Sequence, residues 1–325
     1  ADVTGPARIP EEDGFGQGVA AGDFNNDGFV DLYIANAGVN QLLINEGDGT
    51  FTDVTAEMNL TSDEWTASCL IADLNNDGHP DLFDVNYLEG DQLFRMICDE
   101  NECSPEAYTS SADELHLSTG DGGVQTISLE ETERGGGAGL AVVAFRLDVQ
   151  PSDDDRNSQQ AARQEGPDGQ ISAASPSLPG VVPGRLALFI GNDHEPNFFL
   201  TNAPSDESGN IELTEQSFLA GLAVNSDGKP TACMGVACGD ADGDGRLDLF
   251  VTNYKGEANN LYLQSAGGYF SDDVAGSGLL AGGLPYVGWG TQFLDADNDG
   301  DLDLIVTNGH VGDFRKEGGD YYMPS

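Results

Sequence analysis

Basic residues are scarce in this sequence. Only 12 Lys and Arg residues oppose 57 Asp and Glu residues, which gives a formal net charge of −45 at pH 7. A nucleic-acid backbone or an anionic membrane surface would repel such a chain, so we expect neither as a partner. Cations are the partners that this charge favours.

Long apolar runs are also missing. Hydrophobic residues make up 38% of the chain, enough for a core, but they fall in short segments. None of these segments approaches the ~20 apolar residues that a membrane helix needs, so we expect no membrane insertion. A start at Ala1 and Asp2 would suit a mature end left by signal-peptide cleavage.

Cysteine is rare too, with five residues in the chain. Cys98 and Cys103 bracket the polar segment CDENEC, and we expect a local disulfide there, with free thiols as the alternative. A zinc site is less favoured because no second cysteine pair or nearby His completes four ligands. Cys69, Cys233 and Cys238 stand in apolar segments and are expected to be core residues.

What the chain does have is an internal repeat. A short apolar run that ends in Asn occurs five times, as DLYIAN (31–36), DLFDVN (81–86), ALFIGN (187–192), DLFVTN (248–253) and DLIVTN (303–308). β-branched and aromatic residues at this density, bounded by Gly and Asp, predict strands.

Each repeat contains further strand-like segments. A Gly- and Ala-rich segment precedes the hexapeptide, as at 16–24, and a third strand follows it, as at 40–45. A Gly turn and a fourth strand come next, most clearly at 47–55. Four short antiparallel strands in ~40 to 50 residues are typical of a propeller blade.

The sequence therefore predicts an all-β fold, a β-propeller of four-stranded antiparallel blades, with residues 1–325 as one propeller domain or propeller fragment. Two insertions interrupt the repeats, near 96–112 and at 151–184. The longer one is polar and poor in β-forming residues, so we interpret it as an exposed loop, with a partner-binding arm as the alternative.

Four repeats carry an acidic loop between their first and second strands. The loops are DFNNDGFVD (23–31), DLNNDGHPD (73–81), DADGDGRLD (240–248) and DADNDGDLD (295–303). Oxygen-bearing side chains recur at positions 1, 3, 5 and 9, and Gly recurs at position 6. Hard divalent cations prefer six to eight oxygen ligands, and a backbone carbonyl at position 7 can add to the side chains. We therefore predict about four Ca²⁺ ions, one per loop.

The predicted ligands follow from those positions. The side chains are those of Asp23, Asn25, Asp27, Asp31, Asp73, Asn75, Asp77, Asp81, Asp240, Asp242, Asp244, Asp248, Asp295, Asp297, Asp299 and Asp303. The backbone carbonyls are those of Phe29, His79, Arg246 and Asp301.

Other interpretations of the loops are weaker. Solvated acidic turns would not explain the constant Gly or the constant final Asp. An EF-hand needs a Glu at position 12 and flanking helices, whereas position 12 falls in predicted strands, at Ile34, Asp84, Val251 and Val306. The third repeat has Ala187 in place of the final Asp, so we predict no ion in that blade.

The Gly/Ala strand, the DxDxDGxxDL loop and the following strand resemble the FG-GAP/VCBS repeat of integrin α-chain propellers. The run NQLLINEGDGTFTDVT is similar to the cartilage acidic protein group, which is associated with an ASPIC/UnbV tail. The resemblance implies a seven-bladed calcium propeller, secreted and extracellular, periplasmic or at the cell surface, with adhesion or partner binding as its role. Five repeats instead of seven leave open a fragment, a second chain that completes the propeller, or, less favoured, a closed five-bladed ring.

No catalytic motif accompanies these repeats. The His residues lack metalloprotease spacing, and the polar segment 191–197 aligns with a strand-connecting turn. We therefore predict a non-enzymatic scaffold that binds a protein or glycan ligand. A hydrolase or lyase that acts on polysaccharide is the alternative hypothesis.

Overall fold

The computed structural model describes residues 4–5, 7–9, 14–89, 108–129, 137–147, 178–179, 184–203 and 211–309. Within these ranges the chain forms eighteen strands and two helices of four residues each. The helices are α1 (Ser217–Ala220) and α2 (Leu280–Gly283). None of the described helices is long and apolar enough to span a membrane.

The strands follow one another with short connections. They are β1 Phe15–Gly22, β2 Asp31–Ala37, β3 Gln41–Asn45, β4 Phe51–Asp53, β5 Thr66–Ala72, β6 Asp81–Asn86, β7 Glu114–Ser118, β8 Val124–Ser128, β9 Gly139–Arg146, β10 Leu186–Asn192, β11 Phe198–Ala203, β12 Glu212–Glu215, β13 Gly235–Gly239, β14 Asp248–Thr252, β15 Asn260–Ser265, β16 Tyr269–Asp272, β17 Gly288–Leu294 and β18 Asp303–Asn308.

These strands form five antiparallel sheets in chain order. Four sheets have four strands each: β1–β4 (blade 1), β5–β8 (blade 2), β9–β12 (blade 3) and β13–β16 (blade 4). The described part of blade 5 is the pair β17 and β18. The predicted fold class is thereby confirmed: the protein is all-β, with sheets that correspond to propeller blades. All five hexapeptides lie in the second strand of their sheet, except that Asn253 follows the last residue of β14.

The first strands of successive blades lie side by side, because β1 contacts β5, β5 contacts β9, β9 contacts β13 and β13 contacts β17. Small residues permit this close approach. A Cβ atom on Gly18 in β1, for example, would fall 3.1 Å from the Ala67 carbonyl oxygen in β5. The predicted Gly- and Ala-rich strands are therefore the innermost strands of their blades.

The hydrophobic core is divided into layers between neighbouring blades. Tyr33 and Leu82 share the layer between blades 1 and 2, and Phe189 and Tyr262 share the layer between blades 3 and 4. Because a blade is covered on both faces, every residue of β6 is buried. This explains why the hexapeptides are nearly continuous apolar runs instead of alternating ones.

The cysteine predictions have mixed outcomes. Cys69 and Cys233 are buried and Cys238 is partly buried, and all three are free thiols, as expected of core residues. Cys98 and Cys103 lie outside the described residues, so their predicted disulfide stays a prediction. Most residues of the two predicted insertions also lie outside the described ranges.

Candidate metal sites

The four acidic loops share one backbone conformation. Each connects the first strand of a blade to the second, and each has two residues with positive φ, at positions 4 and 6. The φ values are 58° and 91° for Asn26 and Gly28, and they are similar at Asn76 and Gly78, Gly243 and Gly245, and Asn298 and Gly300. Asn and Gly are the residues that adopt this left-handed conformation at least cost.

Hydrogen bonds turn the first carboxylate of each loop inward. In the first loop the backbone N–H groups of Asp27 and Gly28 donate to Asp23 Oδ1 and Oδ2, at 3.0 and 2.9 Å. The Asp27 N–H also donates to Asn25 Oδ1 at 3.1 Å. The same bonds recur in the other three loops. The oxygens at positions 1, 3 and 5 are thus gathered over the turn.

In the first three loops, the Asp at position 9 connects the loop to the blade. Asp31 Oδ2 accepts a hydrogen bond from the Phe24 N–H, and Asp31 Oδ1 accepts one from the Asn45 N–H, both at 2.8 Å. Asp81 and Asp248 make the equivalent pairs of bonds, and all three Asp residues are fully buried. This carboxylate therefore holds the loop start and the third strand together.

Two loops bring their carboxylates within the reach of one ion. Asp240, Asp242 and Asp248 offer oxygens that all lie within 4.8 Å of one another, as do Asp295, Asp297 and Asp299. The donors are all oxygens, which suits a hard cation such as Ca²⁺ and not a softer metal. The residues present therefore fit the predicted calcium ligands.

Burial raises the pKa of three position-9 carboxyls, those of Asp31, Asp81 and Asp248. The pKa of Asp81 rises to about 6, because burial disfavours its charge and because Asp77 and Asp73 repel it, although hydrogen bonds from Ser118 and Leu74 oppose the rise. Burial likewise raises the pKa of Asp248 to about 6. A cation bound among the loop carboxylates would oppose this rise, because it favours their charged form.

Three of the side chains at position 7 lie against other parts of the blade. A Cβ atom on Gly47 would fall 2.6 Å from the ring of Phe29, and one on Gly120 would fall 3.0 Å from His79 Nε2. Both glycines lie in the turn between the third and fourth strands. Arg246 differs, since its Nε donates to the Gln264 carbonyl at 3.0 Å and its guanidinium pairs with Asp244.

Blade 3 lacks the final carboxylate. Ala187 is buried at the equivalent place in β10. The residues that would form its acidic loop lie outside the described ranges, so the absence of an ion there remains a prediction. The segment 191–197 does connect β10 to β11, as expected, and Asp193 in it accepts a hydrogen bond from the Tyr87 hydroxyl at 2.7 Å.

Sequence reasoning missed the role of position 4. Asn26 has a positive φ and its Nδ2 donates to the Gly78 carbonyl of the next acidic loop at 3.0 Å. The recurrence of Asn, Asn, Gly and Asn at this position in the four loops could have shown the conformation. It could not have shown the contact between blades.

A comparison with protein-family models matches an FG-GAP-like repeat over residues 7–83 and 240–306. The chain therefore carries FG-GAP-like repeats in two regions, and these regions contain all four acidic loops. The finer resemblance to integrin α-chain propellers and to the cartilage acidic protein group is not confirmed. A comparison with curated protein sequences gave no match.

Several solved structures resemble the chain distantly. They include the exotype rhamnogalacturonan lyase YesX (14% identity, TM-score 0.43, 90% of this chain and 45% of that one). A lectin from Agrocybe aegerita that recognises non-reducing terminal N-acetylglucosamine has 15% identity and TM-score 0.45, over 88% of this chain and 59% of its own. The V. cholerae biofilm matrix protein Bap1 has 13% identity and TM-score 0.39, over 92% of this chain and 36% of its own. The chain thus spans less than two thirds of each, and these values are too low to indicate a shared function.

Proposed function

We propose that this protein is a secreted, calcium-binding β-propeller that acts as a scaffold for a protein or glycan ligand. The observation that carries the proposal is the fourfold recurrence of one oxygen-lined loop at the same place in four blades. In each loop one Ca²⁺ ion stabilises the blade by neutralising converging carboxylates. The ligands are the loop residues predicted from the sequence.

Four bound Ca²⁺ ions are expected to add substantially to the free energy of unfolding. Extracellular calcium modules bind with Kd values of ~0.1 to 1 mM, and a ligand at ten times its Kd adds ~1.4 kcal/mol per site to the free energy of unfolding. Four such sites would add ~5 to 6 kcal/mol, which rivals the stability of a typical domain. Calcium is therefore expected to be a structural requirement.

The composition of the inner strands supports a scaffold over an enzyme. The strands β1, β5, β9, β13 and β17 contain no acidic residue, and Arg146 at the end of β9 is their one charged residue. A catalytic pocket at the centre of a propeller would require converging polar groups there. Adhesion or ligand binding would instead use the exposed loops at the blade ends.

The alternative function, a polysaccharide hydrolase or lyase, is open to a direct assay. The calcium-loaded protein is incubated with plant and bacterial polysaccharides, and reducing ends and unsaturated products are measured. A glycan array with the same protein tests binding. Turnover of any polysaccharide would overturn the scaffold proposal, whereas binding without turnover supports it.

A second chain that completes the propeller is part of the proposal. Val19 on β1 is 64% exposed and Ile305 on β18 is 48% exposed, so the outward faces of the first and last sheets present apolar side chains. Contact with further blades would bury these faces. Light scattering of the calcium-loaded protein should therefore give a mass above that of one chain, and a monomer at all concentrations would contradict this part.

Calcium binding itself is tested by calorimetry and thermal melting. The stripped protein should bind about four Ca²⁺ ions and melt at a higher temperature as Ca²⁺ rises through the millimolar range. The double variant D240N/D242N should lose one site, because both side chains contribute to the cluster of the third loop. A melting curve that is unchanged by EDTA would contradict the proposal.

A further inference from the structure

Blade 2 departs from the other blades at one position of the repeated hexapeptide. The fourth residue is Asp84 in β6, whereas the other repeats have a β-branched apolar residue there. Those residues are Ile34, Ile190, Val251 and Val306. Asp84 is fully buried, in the layer between blades 1 and 2.

The neighbouring strand of blade 2 departs as well. Glu114 lies directly opposite Asp84 in the register, at the place where Gln41 stands in blade 1. His116 lies opposite Leu82, at the place where blade 1 has Leu43. The equivalent residues of blades 3 and 4 are uncharged as well, namely Phe198, Asn260, Leu200 and Tyr262.

These three side chains converge. His116 Nε2 lies 3.1 Å from Asp84 Oδ2 and 3.9 Å from Glu114 Oε2, and one donor atom from each residue lies within 4.8 Å of the others. The side chains of Asp84 and His116 are 2% and 3% exposed, while that of Glu114 is 21% exposed. The cluster is buried but has one side that solvent reaches.

The cluster has too little positive charge. Like charges directly opposite on paired strands repel, and a buried carboxylate needs a partner for each oxygen. Asp84 Oδ1 is nonetheless buried without a hydrogen-bond partner in the described structure. Glu64 adds further negative charge nearby. Among the described residues, Asp84 and Glu114 each form an ion pair with His116.

Polar side chains around the cluster hold it in position. The Tyr33 hydroxyl and Asn40 Nδ2, both from blade 1, donate to Asp84 Oδ2 at 3.0 and 2.8 Å. His116 Nδ1 lies 2.8 Å from Thr126 Oγ1, so a proton on Nδ1 would leave Nε2 free to bind a metal. Metal-binding His residues are commonly oriented by a bond of this kind.

We infer that Asp84, Glu114 and His116 form a second class of metal site, which binds a divalent transition ion such as Zn²⁺. An imidazole with two carboxylates is a Zn²⁺ donor set, whereas Ca²⁺ takes oxygens only. Zn²⁺ bonds of about 2.0 Å in a tetrahedron place neighbouring ligand atoms about 3.3 Å apart. The observed 3.1 and 3.9 Å therefore need only small side-chain movements. Water would complete the coordination from the side of Glu114.

The test is zinc titration of the calcium-loaded protein. Excess Ca²⁺ keeps the acidic loops filled, and calorimetry with Zn²⁺ should then show one site per chain. E114Q and H116L, which introduce the residues of blade 1, should each weaken Zn²⁺ binding at least 100-fold. T126V removes only the orienting contact and should weaken it about tenfold. Anomalous scattering of zinc-soaked crystals should place one peak among the three side chains.

Controls separate this site from adventitious binding and from misfolding. H194N changes a partly exposed His of blade 3 and should bind Zn²⁺ as the wild type does. Melting temperatures in Ca²⁺ show which variants fold. If H116L does not fold, the Zn²⁺ binding of E114Q serves as the test. The inference is overturned if the wild type takes up no Zn²⁺, if E114Q binds it undiminished, or if H194N abolishes the uptake.

Discussion

At the residue scale, the position-9 aspartates combine two tasks. Asp248 is fully buried, and its two oxygens accept hydrogen bonds from the Ala241 and Gln264 N–H groups at 2.8 Å each. Each oxygen has a second lone pair that remains available to a cation. The same carboxylate therefore supports the blade and belongs to the metal cluster with Asp240 and Asp242.

This double task predicts the effect of D248N. The amide has the shape of the carboxylate, but its NH₂ group would face a backbone N–H and leave that donor unsatisfied. We expect the free energy of unfolding to fall by about 1 to 3 kcal/mol even without calcium. D242N, at an exposed position, should lower stability in calcium only. Denaturant melts of both variants with and without calcium check this, and equal losses in the two conditions for D242N would contradict it.

The left-handed glycines give a second prediction. Gly78 has φ +91° and nothing within 4 Å of where a Cβ would be. G78A should therefore lower the free energy of unfolding by about 1 to 2 kcal/mol through backbone strain alone. Gly282, with equally open space and no positive φ, is the matched control, and G282A should be neutral or slightly stabilising. Similar melting temperatures for the two variants would contradict the assigned strain.

At the scale of the element, each acidic loop is a carboxylate cluster whose charge depends on pH. Without calcium, Asp81 and Asp248 have pKa values of about 6 in the folded protein, against 3.8 ordinarily, chiefly because of burial. Between these values the two carboxyls bind more protons in the folded protein than in the unfolded chain. Their contribution to stability must then fall as pH rises through this window.

We expect calcium to reverse the pH dependence of the melting temperature. The melting temperature of calcium-stripped protein should fall from pH 4.5 to about 6.5, whereas in saturating calcium it should rise, because protons compete with the ion for the same oxygens. Melts in about 0.5 M NaCl screen the long-range repulsion between surface charges, so that the remaining pH dependence comes from the buried carboxyls. A stripped protein that gains stability over this range would contradict the assignment.

The elements themselves were largely predictable from the sequence. The hexapeptides and the Gly/Ala segments repeat, and local composition was enough to place the first and second strands of each blade. The Asp84 and Glu114 pair was not predicted, because it depends on the register between β6 and β7, which lie about thirty residues apart. The insertion near 96–112 separates these two strands in the sequence.

At the scale of the whole molecule, the net charge opposes folding. Four divalent ions would add eight positive charges and change the formal charge from −45 to −37, so most of the repulsion would remain at the surface. The local effect in the loops is larger than this change suggests, since each ion lies among carboxylates that are a few ångströms apart.

Salt should therefore act differently on the two forms. We expect a rise from about 10 to 150 mM NaCl, which shortens the screening length from about 30 to 8 Å, to increase the melting temperature of the stripped protein. The calcium-loaded protein should gain less, because its closest repulsions are already neutralised. Scanning fluorimetry of both forms measures the difference, and an equal or larger gain for the loaded form would contradict it.

The sequence by itself determined the repeat, the all-β class and the four oxygen-rich loops, because these depend on residues close together in the chain. The tertiary structure alone decided which carboxylates are buried, that the position-9 oxygens bind the third strand, and that Tyr33 of one blade meets Asp84 of the next. Such contacts depend on strand register and on the packing of blades. Neither is encoded in a local pattern, because both arise from segments that fold against each other over long separations in the chain.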